Sequence, residues 1–216
     1  MKIISENNQN AANLACEALK NGEVIAFATD TVYGIACDAS NSSAVKKLYD
    51  IKKRDEKKPI AIFVKDLATA EEIFVFDELS KKIAQNFLPG SITLVLPKKI
   101  PKKINSSINL APNLNPKDDS LGFRIVDREF INNLMSNFAG ILAVSSANLS
   151  NQNPALTAKD VEKYFLNSTL KLIVDGNCKK NAEVSTVIKV VNKKIEILRL
   201  GAIKQKSIDL ILNSWP

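Results

Sequence analysis

The chain has no histidine among its 216 residues. This removes the side chain most often used as a general base or a metal ligand, and it excludes Ser-His-Asp and Cys-His catalysis. The three cysteines, Cys16, Cys37 and Cys178, are an odd number at long, irregular spacings with no C-x-x-C pair. They predict neither a disulfide framework nor a zinc site. An enzyme built from this chain must therefore work with Lys, Arg, Ser, Thr, Asn and backbone amides.

Glycines, aromatics and long apolar runs are also scarce. The seven glycines form neither G-x-G-x-x-G nor G-x-x-x-x-G-K-[ST], so a nucleotide would have to be held by side chains. Aromatic residues make up only 6%, whereas proteins that bind nucleic acids usually interleave aromatic and basic residues. The first twenty residues contain no apolar stretch long enough for a signal peptide, so we expect a cytoplasmic protein without a membrane partner.

Basic and hydrophobic residues, by contrast, are plentiful. Hydrophobic residues make up 45% and charged residues 25%, which is ordinary globular usage, and the length suits a single domain over residues 1–216. The formal net charge is +7 and the pI is about 9.2. This charge favours phosphate-bearing partners such as nucleotides or RNA, although a solvated lysine-rich surface would give the same balance.

The hydrophobic periodicity alternates between strand and helix along the chain. Strands are predicted at 23–29, 60–64, 91–96, 121–126, 140–147 and 170–175, helices at 11–20, 42–51, 66–74, 77–87, 128–138 and 157–165, and a hairpin at STVIKVV and KIEILRL. This order predicts an α/β domain with a mixed sheet. Residues 97–120 contain four prolines, and we expect a functional loop with weak order in the absence of ligand.

Polar segments follow or precede several predicted strands. IKKRDEKKP (51–59) precedes a buried strand, where Arg54 could clamp a phosphate and Lys52 and Lys58 could act as point charges; a solvated basic loop would look the same. SSANLSNQNP (145–154) could donate to phosphates or form an ordinary turn. ATDTVYG (28–34) is either a turn ending a strand or a row of hydroxyl groups that holds a ligand.

Six motifs occur together in a characteristic order: TDTVYG (29–34), KKR (52–54) before Pro59, PGSIT (89–93), SAN (146–148), STV (185–187) and RLG (199–201). With them, the chain resembles the threonylcarbamoyl-AMP synthases, the TsaC/YrdC-like family, over roughly residues 10–203. The resemblance implies an open twisted α/β sheet flanked by helices, with a concave, positively charged cavity.

The resemblance also implies a reaction. L-threonine, bicarbonate (or carbon dioxide) and ATP, accompanied by Mg²⁺, condense to L-threonylcarbamoyladenylate with release of pyrophosphate. A partner complex then transfers the threonylcarbamoyl group to an adenosine beside the anticodon of tRNA, and direct contact of this chain with tRNA is left open.

Site residues follow from the same resemblance, position by position. It implies catalytic roles for Lys52, Arg54, Ser146 and Asn148, ATP contacts for Arg54, Lys58, Ser120, Ser146, Asn148 and Arg199, and threonine contacts for Thr31, Arg124 and Ser185, with no protein-held metal. Phe63 stands where many relatives have histidine. We expect Arg54 and Asn148 to be cavity residues whose loss abolishes turnover with little effect on stability.

Two other functions remain open. The first is an RNA-binding translation or ribosome-assembly factor that uses the basic concave surface to hold the RNA backbone. The second is a carbamoyl-transfer domain like that of hydrogenase maturation proteins, although such domains belong to long chains with zinc-binding cysteine motifs that this sequence lacks.

Overall fold

The computed structural model describes residues 1–99, 108–117 and 119–213. Its strands are β1 (Lys2–Ser5), β2 (Ile25–Ala28), β3 (Tyr33–Asp38), β4 (Ala61–Phe63), β5 (Ile92–Pro97), β6 (Ser120–Arg124), β7 (Leu142–Ser146), β8 (Leu172–Asp175), β9 (Thr186–Val191) and β10 (Lys194–Arg199). Its helices are α1 (Ala11–Lys20), α2 (Ser42–Lys52), α3 (Leu67–Ile73), α4 (Glu78–Phe87), α5 (Glu129–Phe138), α6 (Ala158–Phe165) and α7 (Gln205–Asn213), with a 3-10 turn at Pro112–Leu114.

The ten strands form one sheet in the order β1-β8-β2-β3-β7-β4-β6-β5-β9-β10. Neighbours β1/β8, β2/β8, β4/β6 and β5/β9 are parallel, and the other five pairs are antiparallel. The predicted α/β fold with a mixed sheet flanked by helices is therefore confirmed. None of the helices in the described ranges has the length and apolar character needed to cross a bilayer.

Three elements were not predicted: β1, β3 and α7. Strand β1 is a short, mostly exposed edge strand, so its sequence has no buried pattern to detect. Strand β3, YGIACD, is buried over five of its six residues and contains glycine and aspartate, which are poor strand formers. It forms a strand because it pairs with β2 on one side and β7 on the other, which is a tertiary effect.

The expectation of weak order over 97–120 falls partly on residues 100–107 and 118, which lie outside the described residues. Residues 108–117 pack against the rest of the chain: Leu114 is buried, and its carbonyl accepts from the Ile60 amide at 3.0 Å. The amide of Ala111 also donates to the carbonyl of Ala39 at 2.8 Å. This part of the stretch is held by the core rather than projecting from it.

The two faces of the sheet are covered to different extents. On one face a large apolar cluster joins the strands to helices that include α2, α4 and α6, as at Leu48, Ile83 and Val161. On the other face the apolar cluster involves α1 and α5, and α1 contacts β2, β3 and β8. The half of this face over β4, β6, β5 and β9 carries small and polar side chains, and the candidate site lies there.

Candidate functional site

A cavity of about 330 Å³ opens on this half-covered face of the sheet. Its lining comes from β3, β7, β4, β6, β5, β9 and β10 and from the loops that follow or precede them. Seven of the ten residues predicted from the sequence line it, namely Thr31, Arg54, Ser120, Arg124, Ser146, Ser185 and Arg199. The fold thus gathers side chains that are up to 168 residues apart in the sequence (Thr31 to Arg199).

The turn between β2 and β3 is closed by Thr29. Its Oγ1 accepts from the Thr31 amide at 3.1 Å and donates to the Val32 carbonyl at 2.7 Å. The Thr31 hydroxyl lies 2.9 Å from Thr29 Oγ1 and accepts from Arg124 Nη1 at 3.2 Å. Because the Thr29 proton is used on Val32, the Thr31 hydroxyl donates to Thr29 and keeps one lone pair for a ligand. The segment is therefore both a turn and part of the cavity wall.

Arg124, at the end of β6, is the most buried charge of the cavity, with 5% of its surface exposed. Its Nη2 donates to Asp30 Oδ1 at 2.6 Å and to the Gly90 carbonyl at 3.1 Å. Asp30 also accepts from the Ser91 hydroxyl at 2.9 Å. Burial lowers the pKa of Arg124, and Asp30 opposes this shift. Asp30 therefore orients Arg124, while Thr29 closes the turn.

Phe63 places its ring against the same arginine. The Arg124 guanidinium carbon lies 5.4 Å from the ring centroid, a distance at which the ring face attracts a cation. At this position the aromatic ring supports the arginine and offers no nitrogen to the cavity.

Arg54 and Arg199 bring further positive charge to the cavity. Arg199 donates to the Ser185 carbonyl through Nε at 3.2 Å and Nη2 at 2.8 Å, and Ser185 Oγ lies 2.8 Å from Thr93 Oγ1. Burial and repulsion by Arg124 and Arg54 lower the pKa of Arg199. Arg54 donates to the Pro59 carbonyl at 3.1 Å, and burial lowers its pKa.

Within the described residues, neither Arg54 nor Arg199 forms an ion pair with a carboxylate. In addition, the Nε atoms of Arg54 and Arg124 are buried and have no hydrogen-bond partner in the part of the chain that the structure describes. Buried donors are normally satisfied, so these guanidinium groups have unused capacity to bind an acceptor. The arrangement suits an anion that accepts several hydrogen bonds at once.

Three predicted site residues, Lys52, Lys58 and Asn148, are not among the residues that line the cavity. Lys52 is 1% exposed, and its ammonium donates to the carbonyls of Ser146 and Asn148, the latter at 2.8 Å, and to Asn148 Oδ1 at 3.3 Å. Burial, together with repulsion by Arg54, lowers the pKa of Lys52 to about 7, while its oxygen neighbours favour the charged form. Lys58 is exposed, and its carbonyl accepts from the Tyr49 hydroxyl at 2.8 Å.

Asn148 is engaged on all sides by the fold. Its Oδ1 accepts from Lys52 and, at 2.6 Å, from the Ser146 hydroxyl, while Nδ2 donates to the carbonyls of Leu149 at 2.8 Å and Gln152 at 2.9 Å. Lys52 and Asn148 thus shape the turn that carries Ser146 into the cavity. The interpretation of both as groups that face the substrate does not match this geometry.

Several lining residues were missed from the sequence as site residues, including Thr93, Gly122 and Lys189. A period-two pattern could have found them: Thr93 and Val95 in β5, Gly122 and Arg124 in β6, and Val187 and Lys189 in β9 alternate with large apolar residues. Those apolar residues, such as Leu94, Phe123 and Ile188, belong to the core on the other face. Small or polar residues in alternation with them mark the face left open.

Acidic and thiol side chains do not converge on this cavity. Over the described ranges, no group of three or more Cys, Asp or Glu side chains is arranged to hold a metal ion. The three cysteines are free thiols, and Cys16 and Cys37 are buried.

Comparison with known proteins gives the family. The family model described as Sua5/YciO/YrdC, "Telomere recombination", matches residues 17–201. A Methanocaldococcus jannaschii protein named "Putative threonylcarbamoyl-AMP synthase" is 35% identical over 204 residues, which are 93% of this chain and 92% of that protein. The Bacillus subtilis threonylcarbamoyl-AMP synthase is 30% identical over 97% of this chain.

A solved structure shows the same fold with an amino acid bound. The crystal structure of Sua5 from Pyrococcus abyssi complexed with L-threonine superposes with a TM-score of 0.86 at 25% identity, covering 98% of this chain. The chain spans 60% of that protein and 58% of the Bacillus subtilis relative. The chain belongs to the Sua5/YciO/YrdC family, and the curated relatives named above carry the names of threonylcarbamoyl-AMP synthase enzymes.

Proposed function

We propose that this chain is an L-threonylcarbamoyladenylate synthase, which condenses L-threonine, bicarbonate or carbon dioxide, and ATP and releases pyrophosphate. The observation that carries the proposal is a pair of arginines, Arg54 and Arg199, that have no carboxylate partner among the described residues and lie on the same cavity as the Thr31–Arg124 contact. The first pair suits a polyphosphate, and the second suits an amino acid. The family membership supports the same assignment.

The cavity divides into two halves in this proposal. In the amino-acid half, the free lone pair of Thr31 accepts from the α-ammonium or side-chain hydroxyl of threonine, while Arg124 and Ser185 serve its carboxylate. In the nucleotide half, Arg54, Ser120, Ser146 and Arg199 contact ATP. Lys52 and Asn148 act on this half through the turn at Ser146, which they hold by hydrogen bonds.

The chemistry suits a site without histidine. The threonine amine attacks the one-carbon unit to give a carbamate, and a carbamate oxygen then displaces pyrophosphate from the α-phosphorus; water is the second product when bicarbonate is used. Both steps bring anionic groups together, so cationic donors and correct placement supply the catalysis. In this proposal Mg²⁺ enters with the ATP phosphates and neutralises part of their charge.

The product is a reactive mixed anhydride, so a separate transfer complex acting on tRNA consumes it in this proposal. The competing function is an RNA-binding factor that uses the same cations. It predicts tight binding of RNA and no pyrophosphate release that depends on threonine. A carbamoyl-transfer domain predicts turnover with carbamoyl phosphate in place of threonine and bicarbonate.

The test is pyrophosphate release by the purified protein with ATP, L-threonine and bicarbonate, omitting each in turn. We expect release that depends on all three and that Arg54→Ala abolishes. L-Valine, which is isosteric with threonine but lacks its hydroxyl, is the matched substrate control and should support little release. Absence of threonine-dependent pyrophosphate release, together with tight RNA binding at physiological salt, would favour the RNA-binding function.

A further inference from the structure

Arg128 lies outside the cavity, at the N-cap position of α5, with 17% of its side chain exposed. Its guanidinium donates to both carboxylate oxygens of Glu6, through Nε at 2.9 Å and Nη2 at 2.7 Å. Its Nη1 donates to the carbonyls of Thr29 and Asn177, each at 3.1 Å. Four of the five N–H donors of the guanidinium are thus used, which an ordinary surface ion pair does not achieve.

The three partners of Arg128 stand at the ends of three neighbouring strands. Glu6 follows β1, Asn177 lies two residues beyond β8, and Thr29 follows β2. These strands are adjacent in the sheet and mutually parallel, so their carboxyl ends meet at one edge. Arg128 joins the three ends to α5.

One of these partners leads directly into the cavity. The Thr29 carbonyl belongs to the peptide that continues into Asp30, and Asp30 holds Arg124 at 2.6 Å. The Thr29 hydroxyl in turn fixes Thr31 through the contacts of the turn. Arg128 therefore holds the peptide from which both amino-acid contacts, Thr31 and Arg124, are oriented.

The side chain of Glu6 packs against Gly176, the residue that directly follows β8. A Cβ added at Gly176 would lie only 2.5 Å from Glu6 Cδ and Oε2 and 2.6 Å from Oε1. The obstructing atoms are the end of a flexible side chain, so an alanine there displaces the carboxylate while leaving the backbone in place. Gly176 also exchanges hydrogen bonds with Tyr33, its amide donating to the tyrosine oxygen at 2.9 Å.

From these contacts we infer that Glu6, Arg128 and Gly176 form a positioning unit for the amino-acid half of the cavity. Arg128 touches no substrate; it fixes the Thr29–Asp30 peptide, and through it the direction of Arg124 and Thr31. The inference rests on the proposed function for the identity of the ligand, L-threonine. Residues of the nucleotide half, such as Arg54 and Arg199, lie outside this unit, so the effect is confined to one substrate.

The first test is steady-state pyrophosphate release by Arg128→Lys, Glu6→Gln and Gly176→Ala. We expect the KM for L-threonine to rise about tenfold, as for the loss of one well-placed charged hydrogen bond, with the KM for ATP changed less than about twofold. Lys47→Met is the matched control, because it removes another half-buried ion pair, to Glu23 at 2.9 Å, away from the cavity. It should leave both KM values within about twofold.

A second measurement does not need turnover. Calorimetric binding of L-threonine should weaken in the three variants, and hydrogen exchange of the Thr31 amide, which is bonded to Thr29 Oγ1, should accelerate. If Arg128→Lys folds poorly, Gly176→Ala still tests the inference, since it shifts the Glu6 carboxylate without replacing either residue of the ion pair.

The outcomes separate the two proposals. Unchanged threonine KM and unchanged Thr31 exchange in Gly176→Ala and Arg128→Lys would overturn the positioning role, as would equal losses for threonine and ATP. Absence of pyrophosphate release by the wild-type protein would instead defeat the proposed function. In that case faster Thr31 exchange in the variants would still support the positioning unit, and unchanged exchange would overturn it.

Discussion

At the scale of single residues, the contacts of Arg54 and Asn148 set apart two side chains that the sequence motifs treat alike. Arg54 makes one hydrogen bond to the Pro59 carbonyl and lines the cavity. Asn148 makes four, to Lys52, Ser146, Leu149 and Gln152, and is 9% exposed. Their substitution should therefore affect activity and stability differently.

We expect Arg54→Ala to abolish turnover while leaving the melting temperature nearly unchanged. Asn148→Ala should lower both, with a stability loss of about 2 kcal/mol or more, because it leaves several buried polar groups unpaired. Thermal unfolding followed by circular dichroism, measured beside pyrophosphate release, checks both variants. A stable Asn148→Ala protein would show that the turn at Ser146 does not depend on these bonds.

Lys52 carries a pH prediction. Its folded-state pKa of about 7 lies below the ordinary lysine value, so between these two values the unfolded chain binds more protons than the folded one. The contribution of Lys52 to the free energy of unfolding should therefore increase as pH rises above 7. The cost of burying its charged ammonium should be greatest below pH 7. In urea unfolding, we expect the free energy of unfolding of the wild type minus that of Lys52→Met to rise as the pH increases from about 7 to 10.

A flat difference over this range would contradict the lowered pKa. It would mean that the oxygen atoms of Ser146 and Asn148 keep the ammonium charged despite its burial.

At the scale of secondary-structure elements, the site exists because α1 and α5 cover only part of one sheet face. The strands under the uncovered part carry small residues, such as Gly122 in β6. A Cβ added at Gly122 would lie 3.6 Å from the Ala61 Cβ in β4 and 3.0 Å from the Thr93 methyl group in β5. Large side chains at these positions would fill the cavity rather than pack against a helix.

Gly122→Val tests this arrangement. Valine is favoured in strands, but its Cβ would lie 3.0 Å from the Thr93 methyl group, which must shift. We therefore expect the melting temperature to fall by a few degrees, while the valine side chain occupies cavity space and weakens binding of ATP and L-threonine about tenfold or more. Calorimetric titration with ATP and with L-threonine, beside thermal unfolding, is the measurement. Normal affinity for both ligands would place the substrates elsewhere.

Periodicity and motif order predicted most elements and most lining residues, and the physical reasons for the failures are specific. Strand β3 lacks an amphipathic pattern because both of its faces are buried, so its pairing with β2 and β7 decides its conformation. Lys52 looked like a phosphate ligand because of its charge, but α2 turns its side chain inward onto Asn148. Arg128 belongs to no motif, and only the meeting of three strand ends shows its role.

At the scale of the whole molecule, the fold brings Arg54, Arg124 and Arg199 to one cavity, where the first two repel Arg199. Folding therefore works against this repulsion, and a bound polyanion relieves it. Ligand binding to the folded state alone stabilises it by mass action.

We expect magnesium pyrophosphate at about 100 times its dissociation constant to stabilise the protein by about 2.7 kcal/mol, or about 5–10 °C in melting temperature. The shift should shrink at higher ionic strength, since the attraction is electrostatic. Differential scanning fluorimetry at low and high salt measures it, with Arg199→Ala and the exposed Lys204→Ala as a matched pair. An equal shift in both variants would show that the anion binds outside the cavity.

The position of β9 and β10 in the sheet has a consequence for the nascent chain during synthesis. Strand β9 pairs with β5, which lies about ninety residues earlier in the chain. Strand β9 supplies Val187 and Lys189 to the cavity, and β10 supplies Arg199. A nascent chain that has emerged only through β8 lacks these strands, so its pocket is unfinished. We therefore expect a ligand that needs the whole cavity to bind only after β10 has been synthesised.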